Sequence, residues 1–99
     1  MDYKEMVKVI AEDGRSIEDR SNIVIREMCR LIGDICDYDY AVSHYKGDGT
    51  AVEDKRNQIK NSLALVMSDL DIYAEQLGIT TGVEDKAYKR LKKLTDKRV

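Results

Sequence analysis

Apolar positions recur along this chain at steps of three, four and seven rather than two. Between residues 17 and 45, Val24, Met28, Leu31, Ile32, Ile35, Val42 and Tyr45 form one stripe. Between 51 and 77, Ile59, Leu63, Val66, Met67, Leu70, Tyr73, Ala74 and Leu77 form another. A helix turns once in about 3.6 residues, so this spacing predicts two long amphipathic helices whose stripes face each other. Val83, Ala87, Leu91 and Leu94 predict a final helix with a narrower stripe, and Met6, Val7 and Ile10 a short opening one. Strand-like alternation is nowhere sustained, and the β-branched run NIVI at 22–25 passes directly into helical spacing. The expectation is an all-α, antiparallel bundle of about four helices in a single domain over residues 1–99.

Punctuation agrees with this division. Ser16-Ile-Glu-Asp19, Thr50-Ala-Val-Glu53 and Thr81-Gly-Val-Glu84 each place a hydroxyl three residues ahead of an acid, the pattern by which side chains satisfy the orphan N–H groups of a helix start. Helices are therefore expected to begin after each. Breaks are expected at Gly14, at Gly47 and Gly49 within KGDGT, and at Gly78 and Gly82 around LGITTG. KGDGT lacks the GxxxxGK[ST] spacing of a phosphate-binding loop and reads as a turn.

Composition narrows the class further. Charged residues make up 36% of the chain and hydrophobic residues 42%, with no proline, tryptophan or phenylalanine, which fits a helical domain better than a sandwich or a disordered tail. No run approaches the roughly 18 apolar residues of a membrane span, and MDYKEMVKVIAEDG carries acids where a signal peptide is basic and then apolar. A cytoplasmic protein without a membrane partner is expected. Cys29 and Cys36 lie seven apart on one helix, which separates their Cα atoms by roughly 10 Å, beyond disulfide reach. They are expected to be buried free thiols. The formal charge of −2 is uneven: residues 81–99 carry seven cations and three acids, a net +4, leaving −6 on residues 1–80. Such a basic end can attract anionic ligands, and it also suits the C-terminal end of a helix dipole.

The second long helix holds more apolar surface than one core stripe needs. Leu65 and Ile72 sit seven apart beside the main stripe, on a face with Ser62 and Asp69. A second apolar edge of this kind points to packing against another helix, here from a second copy of the chain.

Three segments, IREMCRLIGDI (25–35), SLALVMSDLDIYAEQLGI (62–79) and VEDKAYKRLKKL (83–94), together resemble the MazG-like all-α NTP pyrophosphatases, a family that includes dimeric dUTPases and dCTPases. The resemblance covers most of residues 16–95 in helix order and spacing. It implies a dimeric bundle in which EExxE on one helix and ExxD on the next hold magnesium for hydrolysis of a triphosphate. The matching positions here are Arg26, Glu27 and Arg30, then Ser62 and Leu65, so only Glu27 keeps an acid. Magnesium takes a nearly octahedral shell of oxygens, commonly seeded by two or more carboxylates, and one acid between two arginines does not supply it. No metal and no catalytic residue are expected on this pattern. A shifted magnesium site would need Glu27, Asp34, Asp37 and Asp69, and the same acids also suit surface ion pairs with Arg30.

Arg26 and Arg30 in place of acids would meet phosphate directly through guanidinium forks. With Lys86, Lys89, Arg90 and Lys93, the phosphate-contacting region implied by the resemblance, and with Glu27 and Tyr38 at the rim, they would make a metal-free nucleotide pocket. Tyr40, His44 and Tyr45 could add stacking and proton exchange, although such groups more often edge a core. Three functions follow. The first is a catalytically inactive MazG-like protein that binds a nucleotide or nucleotide-like anion as a sensor or sequestering protein, with no cofactor. The second is a helical interaction module, such as a phage-type inhibitor or regulator, in which Leu65 and Ile72 form the contact. The third is a magnesium pyrophosphohydrolase with relocated acids. All three take a homodimer, and none takes a nucleic acid.

Overall fold

The computed structural model describes residues 1–45 and 49–98 and, among them, four helices and no strand: α1 (Tyr3–Ala11), α2 (Ile17–His44), α3 (Gly49–Leu77) and α4 (Thr80–Asp96). Side-chain caps start the first two. The Asp2 carboxylate accepts the Glu5 N–H at 2.8 Å, and the Ser16 hydroxyl accepts the Asp19 N–H at 3.1 Å, the expected box. The hydroxyls of the other two boxes lie within their helices rather than ahead of them. α3 opens at Gly49, so Thr50 already lies within it. α4 opens at Thr80 behind Ile79, which makes no side-chain cap bond, and Thr81 lies inside the helix. Gly78, at a φ of 73°, reverses the chain directly after α3, so the next helix resumes before Thr81 is reached. The Thr80 hydroxyl meanwhile donates to Glu75 Oε2 at 2.8 Å. The expected break at Gly47 lies outside the described residues.

α2 and α3 form an antiparallel hairpin, and α1 and α4 both pack on α3. The hairpin seam follows two columns on each helix, stepping alternately by three and four. One column is apolar: Val24, Leu31 and Tyr38 on α2, with Val52, Ile59, Val66 and Tyr73 on α3, all buried or half-buried. The other is mostly polar: Arg20, Glu27, Asp34 and Ala41 on α2, with Lys55, Ser62, Asp69 and Gln76 on α3. Its register is fixed by bonds. Arg20 Nε donates to Gln76 Oε1 at 2.8 Å, and the Ser62 hydroxyl donates to the Asp34 carboxylate. Each step of seven up α2 thus meets a step of seven down α3, and Glu27 falls opposite Asp69 between those two bonded pairs.

This seam corrects the expected one. Val24, Leu31, Val66, Tyr73 and Ile59 are in it, but Met28, Ile32, Ile35 and Val42 on α2, Tyr45 just beyond its end, and Leu63, Met67, Leu70 and Leu77 on α3 are exposed. The physical reason lies in width. Each long helix carries an apolar surface broader than a single partner helix can cover, and the hairpin closes on the side where the polar column finds partners across the gap. Cys29 and Cys36 are free, as their separation requires, but exposed rather than buried, because they lie on the side of α2 turned away from α3.

Candidate functional site

At its α1 end the seam is tied by Arg20, only 6% exposed. Its Nη2 donates to the Ile10 carbonyl and to Asp13 Oδ1, both at 2.7 Å, while Gln76 Nε2 donates to the Arg15 carbonyl at 2.7 Å. The Asp13 carboxyl is held below the usual range, first by the Arg15 N–H and then by Arg20. Arg20 stands outside both the apolar stripes and the segments that carry the resemblance. The signal was the seven-residue recurrence of polar residues at 20, 27 and 34 and at 55, 62, 69 and 76, which alternates with the apolar columns.

Further along, Glu27 and Asp69 confront each other without a cation bonded to either. Glu27 Oε2 is buried and has no hydrogen-bond partner. Burial, and then the Glu27 charge, push the Asp69 carboxyl above its usual range, while Arg20 and Arg26 oppose the shift. A raised folded-state pKa means that the folded chain holds the proton more tightly than the unfolded one. The associated stability is present at acid pH and is lost as pH rises through the raised value. Asp69→Asn is therefore expected to raise stability at neutral pH by about 0.5 kcal/mol, the scale of a like-charge pair on a helix, and to flatten that part of the pH profile. Thermal melts across the acid range check this, and a loss of stability at neutral pH would contradict it.

The other expected ligand residues are dispersed. Arg26 and Arg30 are exposed on α2, Tyr38 is half-buried in the apolar column, and Lys86, Lys89, Arg90 and Lys93 are exposed on α4. The backbones of α2 and α4 do not approach one another, so these two sets do not converge within one chain. Lys89 pairs with Asp85 at 3.0 Å. Tyr40 and His44 stack on each other with ring centroids 3.9 Å apart, and Tyr45 meets Tyr40 edge-on at 6.1 Å. Of the acids considered for a shifted metal site, Glu27, Asp34 and Asp69 line the seam and Asp37 is exposed. Among the described residues, no three His, Cys, Asp or Glu side chains come together to hold a metal ion.

What the fold does assemble is an apolar flank. One step of four from the apolar seam residues of α2 leads to Met28, Ile35 and Val42, and the same step on α3 leads from Ile59, Val66 and Tyr73 to Leu63, Leu70 and Leu77. All six are 40–43% exposed. Reversing a helix and turning it to face its partner cancel in handedness, so both rows lie on the same side of the antiparallel hairpin. Ile25 at 59%, Ile32 at 60% and Met67 at 56% extend that side outward. Arg26 and Arg30 fall on the opposite flank, as does Leu65, 40% exposed, with the half-buried Ile72.

No family model, curated protein or solved structure matches this chain. Among the described residues, no helix is long and apolar enough to cross a membrane, so the flank is not part of a spanning helix.

Proposed function

We propose that this chain is a helical interaction module that works by binding rather than by chemistry, and that it operates as a homodimer. The observation that carries the reading is the uncovered flank of α2 and α3, together with the area it leaves in water. Among the described residues, only Val24, Ala41 and Val66 are buried apolar residues. The accessible surface is 7719 Å², against about 5,700 Å² for a folded monomer of this mass. The radius of gyration is 17.0 Å, against about 13 Å for a compact domain of this length. An excess of about 2,000 Å² per chain matches one side of an obligate homodimer, whose interface totals about 2,000–5,000 Å². A single protomer of this shape buries too little to offset its conformational entropy, and a second copy supplies the missing cover.

The metal-free anion pocket suggested by the resemblance draws on α2 and α4, which do not meet in one chain. The interaction reading needs only residues that one hairpin already displays. Light scattering at micromolar concentration is expected to return twice the chain mass. Ile32→Asp, at a position 60% exposed in the protomer, is expected to shift the protein toward monomer and to lower its melting temperature, because a charge is poorly tolerated at the centre of a buried apolar interface. A wild-type chain that is monomeric and unfolds cooperatively at that concentration would sink the proposal.

A further inference from the structure

Helix α4 is an arm. It runs 17 residues, about 25 Å, and has no buried residue. Among the described residues its approach to α3 is at its beginning: the Ile79 N–H, just ahead of the helix, donates to the Ala74 carbonyl at 3.0 Å, and Ile79 and Val83 line an open cavity with Met67, Leu70, Tyr73 and Ala74 on the uncovered flank of α3. Beyond that point its stripe stands in water, with Leu91 at 63% and Leu94 at 45% exposure. A lone helix of this length is marginal in water and owes its order to packing of its apolar face. Among the described residues, nothing in its own chain packs against that part of the stripe.

We infer that α4 is exchanged between two copies of this chain, each arm laying Ala87, Leu91 and Leu94 along the partner's flank beside Ile32 and Ile35. This rests on the homodimer reading and specifies what fills its interface. Length fits, since the α2 flank from Ile25 to Val42 also spans about 26 Å. Charge fits as well: residues 81–99 carry +4 and residues 1–80 carry −6, so each arm is attracted to the body of the other copy. Area fits, because the excess accessible surface of the whole chain, about 2,000 Å², is of the size that one side of an obligate dimer buries. Reciprocal exchange closes with two-fold symmetry and leaves no open end for further growth. The first turn of α4 already rests on the same flank of its own α3, so the partner's arm continues an apolar surface that is partly occupied.

The native thiols and amines report on this directly. Cys36 lies one turn from Ile32 on α2 and is exposed, and α4 carries exposed Lys86, Lys89, Lys92 and Lys93. Light and heavy-nitrogen-labelled chains are refolded together and treated with a short amine-to-thiol cross-linker, and the products are mapped by mass spectrometry. Cross-links from Cys36 to α4 lysines are expected to join light to heavy chains, and Leu91→Asp is expected to abolish them while raising the dimer dissociation constant about tenfold or more. Leu91 is exposed in the protomer, so this variant does not disturb the hairpin itself. A dimer by light scattering with no α2-to-α4 link between chains overturns the exchange and leaves the homodimer standing. Links confined to single chains overturn it in favour of an arm folded onto its own hairpin. A monomer without links overturns both proposals.

Discussion

Arg20→Ala is expected to cost about 3 kcal/mol of stability, read as a lower denaturant midpoint at unchanged slope. The guanidinium is almost wholly removed from water and makes three bonds, to Gln76 Oε1, the Ile10 carbonyl and Asp13 Oδ1, at 2.7–2.8 Å. Bonds that involve a charged partner contribute about 1.5–3 kcal/mol each, but Asp13 is partly solvated and recovers water when its partner leaves, so the sum is not lost in full. What is lost is geometry. Arg20 ties the link after α1 to α2, and through Gln76 it ties both to α3. Arg20→Lys is expected to recover less than half, because one ammonium cannot present the planar fork that reaches Gln76 and Asp13 together. A loss below about 1 kcal/mol for Arg20→Ala would show that the tie is incidental.

The second large effect is expected at Ser62, where the MazG-like resemblance would place a metal-binding acid. Ser62 is 1% exposed and its hydroxyl donates to Asp34 across the seam. Ser62→Ala removes that donor from a half-buried carboxylate and is expected to cost about 1–2 kcal/mol. Ser62→Glu also inserts bulk and a second negative charge, and is expected to cost about 3–5 kcal/mol at neutral pH, the scale of an uncompensated buried charge. The new carboxyl would have a raised pKa in the folded state, so part of the loss should return as pH falls through that raised value. Melts of Ser62→Glu with and without magnesium give the decisive comparison. The proposed interaction module predicts no rescue by the metal, whereas recovery of most of the lost stability would favour a scaffold still shaped for metal ions.

Both predictions concern residues whose weight is visible only across the seam. The helices themselves were legible in the sequence: periodicity marked α2 and α3 to within two residues, and Ser16 announced the start of α2. Thr50 lies just inside α3, and the expectation for Thr81 failed because a capping pattern states only what a side chain can do, while the turn at Gly78 decides where α4 begins. The expectation for the core failed differently. Met28, Ile35, Leu63 and Leu70 lie within one turn of true seam residues, and the hydrophobic pattern alone does not say which edge of a broad apolar face a partner will cover.

What the sequence by itself determined is the repertoire: helices, their lengths, their apolar breadth and the basic end of the chain. Each depends on neighbours a few residues away, and the chain carries that information directly. Only the tertiary structure decided the register that joins Arg20 to Gln76 and Asp34 to Ser62, the confrontation of Glu27 with Asp69, and the rows of Met28 and Leu63 left side by side in water. These are relations between residues 28 to 56 positions apart, set by which faces two helices turn toward each other. Local spacing constrains such a choice without making it, because several rotations of an amphipathic helix bury similar area. The Arg20–Gln76 and Ser62–Asp34 bonds favour the one observed.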